Sequence, residues 1–230
     1  MKQFSNQTIG LKSTAIIIGL FLFLPNSVLA IKNLPVPFTS QAPYGNWNQP
    51  WQDTCEETAI LMVDNFYNNK KLSDKSVAKQ EILRILNIKN NGYGKSLDEN
   101  AEQMATLIND FLNWEATIIE NPTIEQIKTQ IDVGQPVIIP AYGKALKNSR
   151  FRNGGPEFHT VVISGYDDDK KQFITQEPGT RYGLDFRYNY DTLMKWLFPD
   201  KKIYKIIARS SNGPPATLRK RACSRSVAGG

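Results

Sequence analysis

Two side chains in this sequence have the chemistry of a covalent catalyst. Cys55 stands where a loop dense in Trp, Gln, Asn and Pro meets the first apolar-periodic segment. It follows Asp53 and Thr54, either of which can cap a helix. A thiol at a helix start faces unpaired backbone N–H groups and the positive end of the helix dipole, which favour the thiolate and draw the pKa below about 8.5. His159 is the single histidine of the chain and opens an apolar run to Tyr166, directly after Gly154-Gly155-Pro156. A thiol nucleophile needs a base that takes its proton and later gives it to a leaving amine, and imidazole suits both steps near neutral pH. The competing readings are a buried inert thiol, a Cys55–Cys223 disulfide and a structural His159. A Cys at a helix start early in the domain and a His at a strand start over a hundred residues later favour the catalytic reading.

The elements that must position this pair are legible as periodicity. Ala59, Met62, Val63 and Phe66 recur at helical spacing and predict a helix over 55–68. Ala78, Ile82, Ile85 and Leu86 predict a second. Ala101, Met104, Ala105, Ile108 and Leu112 predict a third, opened by a capping box from Ser96 to Glu99. β-Branched runs then take over: a strand at 116–119, a short helix capped by Thr123 and Gln126 and closed by Gly134, and a strand at 137–141. Strands at 158–166 and 172–176 flank the polar turn 167–171 as a hairpin, before a short helix near 191–198 and a last strand at 203–208. Helices first and antiparallel strands second imply an α+β domain with the helices packed on one side of the sheet.

Composition narrows the function. One His and two distant Cys exclude zinc fingers, HExxH metallopeptidases and His-rich metal sites, and no phosphate-cradling glycine motif is present. No cofactor or metal is expected. The net charge of +6 comes from the ends: six of the 28 basic residues lie outside 31–210, whereas all 22 acidic residues lie within it. A charge-balanced body argues against a nucleic-acid partner. Lys2 and Lys12 precede an apolar run from Ala15 to Leu24, a break at Pro25 and a small-residue pattern at Val28-Leu29-Ala30, the signature of a secretory signal peptide over 1–30. The expected organisation is therefore that leader, a folded domain at 31–210 and a disordered basic tail at 211–230, acting outside the cytoplasm as a secreted or cell-envelope protein. No membrane association is expected once the leader is removed.

Three blocks carry a family resemblance. Val36-Pro37-Phe38-Thr39-Ser40-Gln41-Ala42-Pro43, with Trp47, Cys55-Glu56-Glu57 and Met62, is similar to the Gln-to-Cys block of the papain-like cysteine peptidases related to the bacteriocin-leader-processing (double-glycine) peptidase domain. The run from Phe158 to Asp167 resembles the family's His strand, and Glu177-Pro178-Gly179-Thr180 stands where the family usually has Asp-Pro-Gly-Thr. The resemblance implies a papain-like fold, a secreted cysteine peptidase acting on a peptide or protein, Cys55 as nucleophile, His159 as base, Glu177 as the acid orienting it and Gln41 as oxyanion donor. Glu177 is the departure, and Gln176 beside it is the rival for holding the ring. Glu56 and Glu57 suit the first-turn dipole; Trp47 and Trp51 either line a cleft or pack the loop. The single His argues against amidopeptidases that use a Cys and two His. The rival function is a catalytically silent module that binds peptide or surface polymer in the same cleft.

Mass analysis of exported protein checks the leader. The mature chain is expected to begin close to Ile31, and an intact Met1 in a membrane-bound product would make residues 1–30 an anchor instead.

Overall fold

The computed structural model describes residues 1, 31–72, 74–95, 98–197, 199–200 and 203–210. Apart from Met1, the expected leader and tail lie outside the described residues. Short β1 (Ile31–Asn33) leads into an extended segment and a 3-10 turn at Trp51–Asp53. Helices α1 (Cys55–Tyr67), α2 (Lys75–Tyr93) and α3 (Ala101–Phe111) follow. The second half runs β2 (Ala116–Glu120), α4 (Ile124–Asp132), β3 (Val137–Tyr142), β4 (Phe158–Asp167), β5 (Gln172–Gln176), β6 (Phe186–Asn189), α5 (Tyr190–Lys195), β7 (Pro199–Asp200) and β8 (Ile203–Arg209). None of the described helices is long and apolar enough to cross a membrane.

The strands form one antiparallel sheet in the order β2-β8-β3-β4-β5-β6, with β1 added to β4 and β7 to β8. Helices cover both of its faces, not one. On one face α1, α2 and α3 pack Ile60, Met62, Ile82 and Ile108 against Ile138, Val162 and Ile207. On the other, Ile127 and Ile131 of α4 and Leu193 of α5 meet Val137, Ile139, Val161, Ile163 and Phe173. Neighbours along β3 and β4 therefore enter different cores, because successive side chains of a strand point to opposite faces. With both faces covered, β3 and β4 are buried along nearly their whole length and do not alternate between buried and exposed positions.

Local chemistry sets the boundaries. The capping box Thr123/Gln126 opens α4, as the sequence implies. Helix α3 is opened by Asn100, which accepts from the Gln103 N–H while the Gln103 side chain accepts from the Asn100 N–H. This replaces the expected Ser96–Glu99 box, whose Ser96 lies outside the described residues. Glu99 is instead buried in an ion cluster. Gly165 is required where β1 crosses β4: a Cβ there would lie 2.1 Å from the Lys32 carbonyl oxygen.

Beneath the start of α1, the Lys89 ammonium of α2 is buried between Glu57 (2.6 Å) and Glu99 (3.0 Å), and Glu56 accepts from the Glu99 N–H at 3.3 Å. One ammonium cannot neutralise three carboxylates out of water. Burial pushes Glu56 well above the usual carboxylate range, with neighbouring Glu57 adding to it, and burial also raises Glu57 against the pull of Lys89. Burial would strip the Lys89 proton, but Glu57 and Glu99 outweigh it and raise its pKa. Lys89→Met is expected to destabilise the fold by about 3 kcal/mol near pH 7, because it strands buried carboxylates. Urea unfolding should show a smaller loss at about pH 5, where those carboxyls take up protons more readily; equal losses at both pH values would remove Lys89 from the charge balance.

Candidate active site

His159 lies near the start of β4 and is almost fully buried. Its Nε2 is 2.6 Å from Oε1 of Glu177, which directly follows the last residue of β5. The carboxylate is completely enclosed and every approach to it is occupied. Oε1 also accepts from the Gly179 N–H at 2.8 Å, and Oε2 accepts from the Tyr188 hydroxyl at 2.7 Å. Asn148 in turn donates to that hydroxyl at 2.8 Å. The Phe151 ring stands edge-on to the imidazole, centroids 5.1 Å apart. Gly179 fits only without a side chain, since a Cβ there would come within 3.0 Å of Glu177 Oε1 and His159 Cε1. The longer Glu side chain is thus accommodated in full. Gln176 has other work, donating to Ser164 and Asp185 and accepting from the Asp185 N–H.

With Nε2 engaged by Glu177, Nδ1 is the nitrogen left to face a reacting group. Cys55 is a free, buried thiol and the first residue of α1. Its sulfur lies against the backbone N–H of Thr160, the residue after His159. That N–H is open because β5 stops at Gln176, paired with Val162, and so falls short of Thr160. The thiol itself donates to Oε2 of Glu56 at 3.1 Å, and among the described residues no hydrogen bond joins it to the imidazole.

Two expectations are corrected here. The thiol pKa is raised well above its ordinary value, not lowered: burial is the main cause, Glu56 and then Glu57 add to it, and the Thr160 N–H opposes them. Helix-dipole reasoning fails because Glu56 and Glu57 are turned inward, not out to solvent. Gln41, expected to aim its amide at an oxyanion, instead donates to the carbonyls of Trp51 (2.9 Å) and Gln52 (3.1 Å), while its own N–H donates to the Pro178 carbonyl. In this arrangement it braces the turn feeding Cys55 against the loop after Glu177.

These bonds bring Gln41, Cys55, His159 and Glu177 to one end of β4. A cleft of about 1160 Å³ opens there, lined by Gln41, Trp47, His159 and Gly179, and the buried Cys55 is not part of its lining. Trp51 packs on the helical core instead. Sequence reasoning missed Tyr188, Asn148, Phe151 and the Thr160 N–H. Only Gly179, inside the Glu-Pro-Gly-Thr block, carried a signal.

A helix-borne thiol beside a strand-borne His–carboxylate pair, on an α+β frame, is the papain-like arrangement. The model of the Peptidase_C39 like family matches residues 33–209, and the chain belongs to that family. Among solved structures it is similar to a protein from Bacillus anthracis described as a C39-like peptidase, with a TM-score of 0.54 and 17% identity, covering 80% of this chain and 100% of the other. No curated protein matches the sequence.

Glu56→Gln tests the environment of the thiol. The unfolded Glu loses its proton near 4.5 while the buried one keeps it, so rising pH favours the unfolded wild type. The variant should therefore gain stability relative to wild type as pH rises above 4.5, by up to about 1.4 kcal/mol per pH unit, in thermal melts from about pH 4 to 8. A difference independent of pH would mean that Glu56 is ionised in the fold.

Proposed function

We propose that the protein is a cysteine peptidase in which Cys55 attacks the carbonyl carbon of a peptide bond and His159 serves as base and acid. The observation that carries this reading is the sealed Glu177–His159 bond, which commits Nε2 and leaves Nδ1 for a reacting group, while a free thiol at a helix start lies against the N–H of the next residue, Thr160. A carboxylate with no access to water, fixed by Tyr188 and Gly179, stabilises an imidazolium better than a neutral amide would.

In the reaction, the Cys55 thiol turns from Glu56 toward the ring and gives its proton to Nδ1. The sulfur then forms a bond to the substrate carbonyl carbon. The negative charge on the former carbonyl oxygen meets the Cys55 backbone N–H, which as the first of its helix has no acceptor within it. The imidazolium protonates the departing amine as the C–N bond breaks. Water, deprotonated by the same nitrogen, then cleaves the thioester and returns the thiol.

The signal-peptide pattern at 1–30 supports an activity outside the cytoplasm. A second reading, a peptide-binding module without turnover, draws on one observation: the thiol is bonded to Glu56 and not to the imidazole.

A peptide-library digest with the mature protein decides between them. Cleavage is expected with wild type and abolished in Cys55→Ala. Glu177→Gln should lower turnover about a hundredfold or more, whereas Gln176→Ala has little effect. Binding with no cleavage by wild type would establish the silent module.

A further inference from the structure

The cleft has a charge character that the balanced body at 31–210 lacks. Lys75, Arg150, Arg152 and Arg181 line it, and no carboxylate does. These cations come from three separate segments: the first residue of α2, the loop before β4 and the loop after β5. All four are exposed, and among the described residues none has an ion-pair partner. Three acids adjoin lining residues, Asp53 after Gln52, Asp74 before Lys75 and Glu157 after Pro156, and among the described residues none of them forms an ion pair with these cations. In a body with equal numbers of acidic and basic residues, such segregation leaves the cleft lining itself cationic.

Two of the cations are held in place. The Arg150 and Arg181 guanidinium carbons lie 4.9 and 4.7 Å from the centroid of the Tyr182 ring, and Arg181 also donates to the Tyr182 hydroxyl. Stacking on one ring keeps two like charges close together, an arrangement that a bound carboxylate relieves. It also occupies the aromatic surface that a nucleobase would need for stacking. The same cleft reaches His159 and Gly179.

We propose that this cleft selects peptides carrying acidic side chains near the scissile bond, with Arg150 and Arg181 as the principal anchors and Arg152 and Lys75 extending the positive surface. The inference rests on the peptidase reading for the bond that is cut, but its test does not require turnover. Fluorescence anisotropy of the full mature chain carrying Cys55→Ala measures binding of labelled peptides that differ only in Asp/Glu against Asn/Gln. The acidic peptide should bind about tenfold tighter or more at low salt, and the advantage should fall steeply at about 0.5 M salt. Arg150→Gln combined with Arg181→Gln should bring the ratio close to one; circular dichroism confirms that the variant is folded. Equal binding of the two peptides, or a ratio untouched by the double variant, overturns the proposal. So does an oligothymidylate of the same charge that binds more tightly than the acidic peptide. Cleavage by wild type without acidic preference sinks this inference alone, whereas acidic preference without cleavage sinks only the peptidase reading.

Discussion

A carboxylate removed from water needs donors in place of solvent, and Glu177 has three: His159, the Gly179 N–H and the Tyr188 hydroxyl. The surrounding architecture follows from it. Strands β4 and β5 must pair in a register that brings residue 177 within reach of residue 159. The loop after β5 must turn tightly enough to return Gly179 to the same oxygen, and β6 must present Tyr188 from the next strand. Asn148 and Phe151, from the segment between β3 and β4, close the remaining sides. The imidazole is thereby fixed in orientation before any substrate arrives, which is how a neighbouring acceptor contributes to acid–base chemistry.

The thiol's half of the site is built on the opposite principle. Where Glu177 is fully satisfied, Cys55 sits above a charge imbalance of Glu56, Glu57 and Glu99 around one Lys89. Burial keeps protons on this group, so the thiol rests in its neutral form, bonded to a neighbouring carboxyl. The Thr160 N–H favours the thiolate but is the smaller influence. In the proposed reaction the sulfur leaves Glu56 before it gives up its proton, which would separate a resting arrangement from a reacting one.

What the sequence disclosed, and what it hid, follows the range of the forces involved. Cys55, His159 and Glu177 were legible because their residue types and the blocks around them are local signals, as was the capping box at Thr123. The inward turn of Glu56 and Glu57 was not. Their partners Lys89 and Glu99 come from α2 and from the segment before α3, and nothing near Cys55 indicates that those side chains arrive there. The opening of α3 was misplaced because Ser96–Glu99 satisfies the same pattern as Asn100–Gln103, and only the burial of Glu99 distinguishes them. Helices on both faces of the sheet were hidden by the apolar runs of β3 and β4, which do not say what covers each side. The cationic cleft escaped notice because net charge summed over 31–210 cancels, whereas segregation in space does not.

The single histidine makes the central claim directly measurable, because its ring nitrogens give the only imidazole signals in a nitrogen-15 spectrum of histidine-labelled protein. The account predicts a neutral ring protonated at Nε2 and bonded to Glu177, with an Nδ1 resonance that shifts when Cys55 is replaced by Ala while the Nε2 resonance holds. A proton on Nδ1, or an Nδ1 resonance identical with and without the thiol, would contradict it.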